Sequence, residues 1–419
     1  MKKLLGILLA MLMVLSLAAC NQGGGNNGGT AAPAEKTKVV LWHSYTKAQN
    51  DFIDQAVADF NASQDQYEVV AEFQSSGEIT DKTYQAVMAG NGPDMLINFP
   101  SEASRYVLDN KLVDLETVLS ADTIGLLSGS ALEESKSFTD GKMHFIQLVN
   151  SEPIFIYNKD VYDELGLTAP ATWDELVANC EKIKAAHPEM APFAFDSETD
   201  GAQMLIMQTG NKMFDANGIY LDAPEVVERM KFYQDNIANG NFTNSKVGDY
   251  YSEDFVARNL ASYIGSIAGY YYVITDGGPS VGFGPCPQLN ESSPWVPAWN
   301  RGFMVFDYQD EARAKGAGAF IDFFLQPERN AEFCVVATYP AAFEATRQQK
   351  VYQDFINGSA KAAYDCVRPE YSGTFPAITT QLYARTALRN LMSAAAGGAD
   401  VETAVKEAVT YIEGELAAE

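Results

Sequence analysis

The stretch from Lys38 to Glu102 limits the fold more than any other part of the chain. Val39-Val40-Leu41-Trp42 is an unbroken apolar run, of the kind buried on both faces of a parallel sheet. Phe52, Ile53, Ala56, Val57 and Phe60 follow at helical spacing and line one face. Tyr67 to Phe73 predicts a second strand. Thr83 to Ala89 predicts a helix, stopped by Gly90-Asn91-Gly92-Pro93, and Asp94 to Asn98 predicts a third strand. Parallel neighbours need a crossover, and a helix supplies it. The alternation therefore predicts an α/β body built on a parallel sheet. Ligands of such sheets bind outside the carboxyl ends of the strands. That rule selects two loops, Trp42-His43-Ser44-Tyr45 and Asn98 to Glu102. His43 alone reads equally well as a satisfied structural histidine.

Further along, Phe145 to Val149 predicts a strand that Asn150-Ser151-Glu152-Pro153 interrupts and Ile154 to Tyr157 resumes. A polar break within an apolar run predicts a crossing between two lobes. Asn158-Lys159-Asp160 caps a short helix, and Thr172-Trp173-Asp174-Glu175 is a capping box. Residues 196–203 read as a polar loop. Tyr270-Tyr271-Tyr272 offers rings for a sugar or lipid-like ligand, or simply core packing. Arg301 lies in the loop Trp295 to Gly302, where a guanidinium suits a phosphate or carboxylate, and equally a surface ion pair. Asp400 predicts the start of a last helix.

The 419 residues carry 29 Lys+Arg against 55 Asp+Glu, a net charge of −26. That balance argues against nucleic acid and against peripheral binding to anionic membranes. A hydrophobic share of 47% supports packed cores, and the length suits two or three domains. Cys180, Cys286, Cys334 and Cys366 are irregularly spaced, with no CxxC, HExxH, GxSxG or P-loop motif, so no metal or cofactor is predicted. Cys334 and Cys366 form a candidate pair; buried free thiols are the plainer reading. At the front, Lys2 and Lys3 precede the apolar run Leu4 to Leu17. Leu17-Ala18-Ala19-Cys20 resembles the bacterial lipobox. Residues 1–19 then form a signal peptide, Cys20 takes the lipid, and 20–37 is a Gly/Asn-rich tether.

Asp140-Gly141-Lys142, Tyr157-Asn158-Lys159-Asp160, Leu165-Gly166-Leu167 and Thr172-Trp173-Asp174-Glu175-Leu176 resemble, in order and spacing, one known series. It belongs to the bacterial extracellular solute-binding proteins of family 1, the maltose-binding-like receptors of ABC importers. Val39 to His43, Gly92-Pro93-Asp94, Phe320 to Pro327 and Phe375-Pro376 extend the likeness over most of the chain. The resemblance implies an α/β, two-lobed periplasmic-binding-protein-like fold of type II, with a ligand cleft between lobes joined by hinge strands. It implies no catalysis, a permease partner and a monomer. Lobe one would be 38–148 plus 284–340, and lobe two 149–283 plus 341–419. The place of action would be the outer face of the cytoplasmic membrane, reached only through the lipid at Cys20.

Trp42-His43-Ser44 and Asn150-Ser151-Glu152-Pro153 look most like the glycerol-3-phosphate-binding branch. That likeness implies that Ser151, Ser266, Asn300-Arg301-Gly302 and Tyr339 line the cleft. The branch's Arg after Pro-x-Ile is Thr379 here, and its Trp pair is absent near Asp196 to Gln203. The expected solute is therefore a sugar or oligosaccharide, with a glycerol phosphate or glycerophosphodiester as the alternative. Trp42, Tyr45, Asn98, Glu102, Glu152 and Trp299 supply ring faces and polar groups for a sugar, with Tyr270 as a further ring. A rival reading is a secreted glycoside hydrolase, which needs two carboxylates about 5–9 Å apart across a cleft. A cell-surface adhesin on the same fold is a third.

Overall fold

Two five-stranded sheets carry the chain. The computed structural model describes residues 35–246 and 250–418. Cys20, the leader before it and the tether as far as residue 34 lie outside the described residues. The strands are β1 (Thr37–His43), β2 (Tyr67–Phe73), β3 (Met95–Asn98), β4 (Ile146–Val149), β5 (Pro153–Asn158), β6 (Phe193–Phe195), β7 (Phe242–Thr243), β8 (Ser262–Ser266), β9 (Val281–Gly284) and β10 (Arg301–Val305). The first sheet has the order β2-β1-β3-β10-β4, the second β9-β5-β8-β6-β7.

In the first sheet β1 runs parallel to β2 and β3, as the alternation predicts. β10 is antiparallel to both of its neighbours, β3 and β4. In the second sheet β8, β6 and β7 are parallel, while β5 opposes β8 and β9. β4 and β5 belong to different sheets, so the polar break at Asn150-Ser151-Glu152 carries the chain from one to the other.

Helix Ala48–Ser63 buries Ile53, Ala56 and Phe60 toward β1. There Phe60 meets Phe320 and Phe323 edge-on, both at 5.4 Å. Burying an aromatic or branched side chain of this size contributes about 1.5–3 kcal/mol. The other face of the first sheet packs Trp42, Leu96, Tyr106 and Met304. The second sheet packs Phe155, Phe193, Met204 and Leu388 on one face and Ile154, Ile156, Tyr263 and Phe255 on the other.

Two boundaries differ from those expected at residues 284 and 341. Cys286 and Val296 stay in the second sheet's core. Ala341, Ala342, Phe343 and Tyr352 lie in the first, beside Phe333. Hydrogen bonds hold that segment there: the Ala341 amide donates to the Tyr352 hydroxyl at 3.0 Å, and the Thr346 hydroxyl to Asn330 at 2.9 Å. The chain re-enters the second core from Phe355, and Ala360 and Ala363 are buried there.

Helix starts follow local polar chemistry. The Thr172 hydroxyl accepts from the Glu175 amide at 3.2 Å, while the Glu175 carboxylate reaches back to the Ala171 amide at 2.7 Å. Asn158 and Asp400 cap their helices in the same way. Residues 196–203 are not the predicted loop. The Ser197 hydroxyl accepts from the Asp200 amide at 3.2 Å and starts helix Glu198–Met207. The candidate pair Cys334 and Cys366 is not joined: the thiols are free and buried in separate cores. No helix among the described residues is long and apolar enough to cross a membrane.

Candidate functional site

The segments that follow β1, β3 and β6 come together at one place, with the residues that lead into β10. β3 leads into Phe99 and then Pro100, the first residue of helix Pro100–Leu108, which sets Glu102 in its first turn. β10 runs the other way and so arrives at the same edge with Trp299, Asn300 and Arg301. Gly302 lies opposite Asn98. That glycine is required, since a Cβ there would stand 2.1 Å from the Ile146 carbonyl oxygen. From the second sheet, β6 leads to Asp200 in the first turn of helix Glu198–Met207. Helix Thr379–Ala396 packs against both Glu198–Met207 and Pro100–Leu108, and it brings Arg385.

The side chains interlock. Arg301 Cζ lies 5.1 Å from the Phe99 ring centroid and 5.3 Å from that of Tyr45. Arg385 Cζ lies 5.3 Å from the same Phe99 ring and 4.4 Å from the Trp299 ring. Such contacts suit a guanidinium, which is weakly hydrated and planar. Trp299 meets Phe99 edge-on at 6.0 Å and Phe375 at 6.1 Å. Its indole Nε1 donates to Asp200 Oδ1 at 2.7 Å. Behind them, Glu134 is buried and accepts from Gln147 and, at 3.0 Å, from Asn300.

Burial shifts the acids in one direction. It pushes Glu102 up to about 7, against the pull of Arg385 and Arg105. It pushes Asp200 up to about 6, against Arg385 and the indole hydrogen bond. Glu134 rises to about 7 for the same reason. Burial lowers the Arg385 guanidinium; Asp200 and Glu102 oppose that, and Arg389 and Arg301 add to it.

The expected residues divide into three groups. Ser44, Tyr45, Glu102, Trp299 and Arg301 belong to the interlocked cluster, Ser44 accepting a long 3.5 Å contact from Arg301. Ser151, Glu152 and Ser266 meet where the chain crosses between sheets. The Ser151 and Ser266 hydroxyls are 3.2 Å apart, the Trp299 amide donates to the Ser151 carbonyl, and the Ile267 amide donates to that of Glu152. Tyr339 adjoins this crossing, next to Pro340, whose carbonyl accepts from the Asn150 amide at 2.9 Å.

The rest are committed to the framework. The Trp42 indole donates to Glu72 at 2.8 Å and its ring is 9% exposed. His43 is fully buried and driven down to about 4 by burial, so its imidazole is neutral; its Nδ1 accepts from the Tyr45 amide. Asn98 is buried within 3.5 Å of Thr80. Tyr270 is not at the cluster: it packs in the second sheet's outer core near Phe283, Phe355 and Tyr364. A surface pocket of about 490 Å3, lined by Val227, Lys231, Glu402 and Val405 among others, draws on none of these residues. Its exposed Lys231–Glu402 pair at 3.0 Å marks a solvated helix groove. Among the described residues no group of three or more His, Cys, Asp or Glu side chains could hold a metal.

A family profile described as bacterial extracellular solute-binding protein matches residues 55–357. The chain belongs to that family. The sn-glycerol-3-phosphate-binding periplasmic protein of Rhizobium meliloti (strain 1021) is 25% identical to this solute-binding protein over 348 residues, 76% of the chain and 79% of the relative. Two solved structures share its architecture. The cyclic alpha-maltosyl-1,6-maltose binding protein from Arthrobacter globiformis superposes with a TM-score of 0.77 at 20% identity, covering 91% of this chain and 99% of that one. The substrate-binding protein Lmo0181 from Listeria monocytogenes, solved with cycloalternan, gives 0.76 at 17%, covering 91% and 100%. At these identities the likeness carries the fold: two α/β lobes of the type II binding-protein kind. The solute-binding protein thus has the expected architecture, and its relatives are binding proteins rather than enzymes by name.

Sequence reading of the solute-binding protein missed Phe99, Glu134, Asp200 and Arg385. For Asp200 a signal existed: Ser197 followed by acidic residues and then an apolar run is a helix start. Phe99 stood inside a selected loop. Nothing local marks Arg385 or Glu134.

Proposed function

We propose that the chain is the solute receptor of an ABC importer, anchored outside the cell by lipid at Cys20, and that it takes a sugar or oligosaccharide between its lobes. The reading rests on one observation above all: Phe99 after β3, Trp299 and Arg301 at the start of β10, Asp200 in the helix after β6, and Arg385 on helix Thr379–Ala396 converge on one cluster. Aromatic plates beside carboxylates and amides suit a polyhydroxylated ligand. Cycloalternan with one structural neighbour supports the sugar class, and glycerol 3-phosphate in the name of the relative supports the alternative, a glycerol phosphate. The crossing segments at Asn150–Glu152 and Gly284–Trp299 serve as hinges, and closure hands the solute to a membrane permease. In this reading the receptor works as a monomer.

A thermal-shift screen over mono- and oligosaccharides, polyols and glycerol phosphates tests the reading. A ligand that binds only the native state raises the melting temperature by mass action. One member of the panel should do so in a saturable way, with a more compact particle in small-angle scattering. Turnover of a glycan in the same panel would instead favour the hydrolase.

A further inference from the structure

The chain is strongly acidic, yet its cluster gathers cations. Five arginines, Arg229, Arg258, Arg313, Arg329 and Arg347, sit on carboxylates. Arg301 and Arg385 have no such ion pair among the described residues, as Arg105, Arg368 and Arg389 have none; what sets these two apart is one shared ring. They contact aromatic rings instead, and both lie over the ring of Phe99. They come from opposite sides: Arg301 begins β10 of the first sheet, and Arg385 stands on a helix of the second core.

We propose that Arg301 and Arg385 are the two jaws of an oxyanion clamp, and that the solute is a sugar or polyol carrying a phosphate, sulfate or carboxylate group. The inference rests on the receptor reading above and narrows its solute class. Each guanidinium presents a planar fork of donors that matches an oxyanion. Arg301 spends a long 3.5 Å contact on Ser44 and one side-chain interaction on the Tyr45 hydroxyl, short of its five donors, and the Arg385 side chain spends no hydrogen bond at all among the described residues. The acids near Arg385 attract it without forming an ion pair with it. Asp200 gives an oxygen to the Trp299 indole, and burial raises both Asp200 and Glu102 against the pull of Arg385. Arg389, one turn along the helix, adds a third positive charge facing Arg385. Two cations brought together within a body of charge −26 are stabilised when an anion enters between them. Because the jaws belong to different lobes, the same anion also favours the closed form.

Calorimetric titration of the purified full-length protein tests this. The probes are glucose 6-phosphate, glucuronate and glycerol 3-phosphate, their neutral parents glucose and glycerol, maltotriose, and inorganic phosphate. At least one anionic probe should bind about tenfold or more tightly than its neutral parent, and more weakly as salt is raised. R301Q and R385Q should each weaken that probe by about tenfold, with R385K falling between, since lysine keeps charge but not the fork. Inorganic phosphate binding as tightly as the sugar phosphate supports the clamp and makes the free ion its source. A neutral parent or maltotriose that binds as well as the anions overturns the clamp and leaves the receptor reading standing. No binding by any probe to folded protein counts against both. The wild-type comparison of each anion with its parent decides the matter even where a variant fails to fold.

Discussion

Asp200 holds Trp299: the indole Nε1 donates to Oδ1 at 2.7 Å, and the ring so fixed lies 4.4 Å beneath the Arg385 guanidinium. One carboxylate in the first turn of a second-core helix thus sets the plane on which a guanidinium of the site rests. Removing it should cost about 1–3 kcal/mol, because the half-buried indole N–H is left without a partner. D200A should show that loss in urea denaturation and weaken solute binding. D200N keeps an acceptor oxygen and should lose less than half as much. Equal losses for the two variants would mean that charge rather than the hydrogen bond matters.

Glu134 predicts a pH dependence. Burial raises its carboxyl from the ordinary 4.5 to about 7. The native state therefore holds the proton more tightly than the unfolded state. Stability from this group is present at low pH and is lost as pH rises from about 4.5 through about 7. A glutamine in its place cannot titrate, and the amide oxygen can still accept from Gln147 and Asn300. E134Q should gain on the wild type as pH goes from 5 to 8, read as a growing difference in urea midpoint. Parallel profiles for the two proteins would sink the idea.

Gly302 predicts a link between packing and binding. A Cβ there would stand 2.1 Å from the Ile146 carbonyl oxygen and 2.6 Å from Phe145. G302A must push β10 away from β4, at about 1–3 kcal/mol. The residue displaced with it is Arg301. Denaturation and ligand titration should therefore both suffer, the latter through Arg301 even though residue 302 carries no polar group.

Cys20 predicts where the protein is found. C20S should block lipid attachment. Metabolic labelling with palmitate should fail, and the protein should leave the membrane fraction while its solute affinity stays unchanged. Retention of the label on C20S would remove the anchor from the proposed function.

The β1 to β3 part of the first sheet was readable because it is local: β1 holds an unbroken apolar run, β2 and β3 are short apolar-rich stretches, and each crossover helix shows its own periodicity. The capping of Asn158, Thr172 and Asp400 was readable for the same reason. Arg385 was not, because the period of helix Thr379–Ala396 shows which face is apolar but not what stands opposite its polar side. Tyr270 stands away from the cluster, and only its rotation sets it apart from its neighbours. It is buried, whereas Tyr271 and Tyr272 are 64% and 58% exposed. Nothing in a run of three tyrosines says which turns inward. The place of Ala341 to Tyr352 in the first core was not readable, because the hydrogen bonds that hold it, Ala341 to Tyr352 and Thr346 to Asn330, have no trace in composition.

β10 fills the gap between β3 and β4, although all five strands of the second sheet lie between β4 and β10 in sequence. A chain made from its amino end therefore finishes the strands of its second sheet at Gly284, while the first still has an open slot. Until Arg301–Val305 arrives, β3 and β4 expose unpaired edges that invite pairing with other chains. Of the two sheets, the one begun first is closed last, and the strand that closes it brings Arg301 into place.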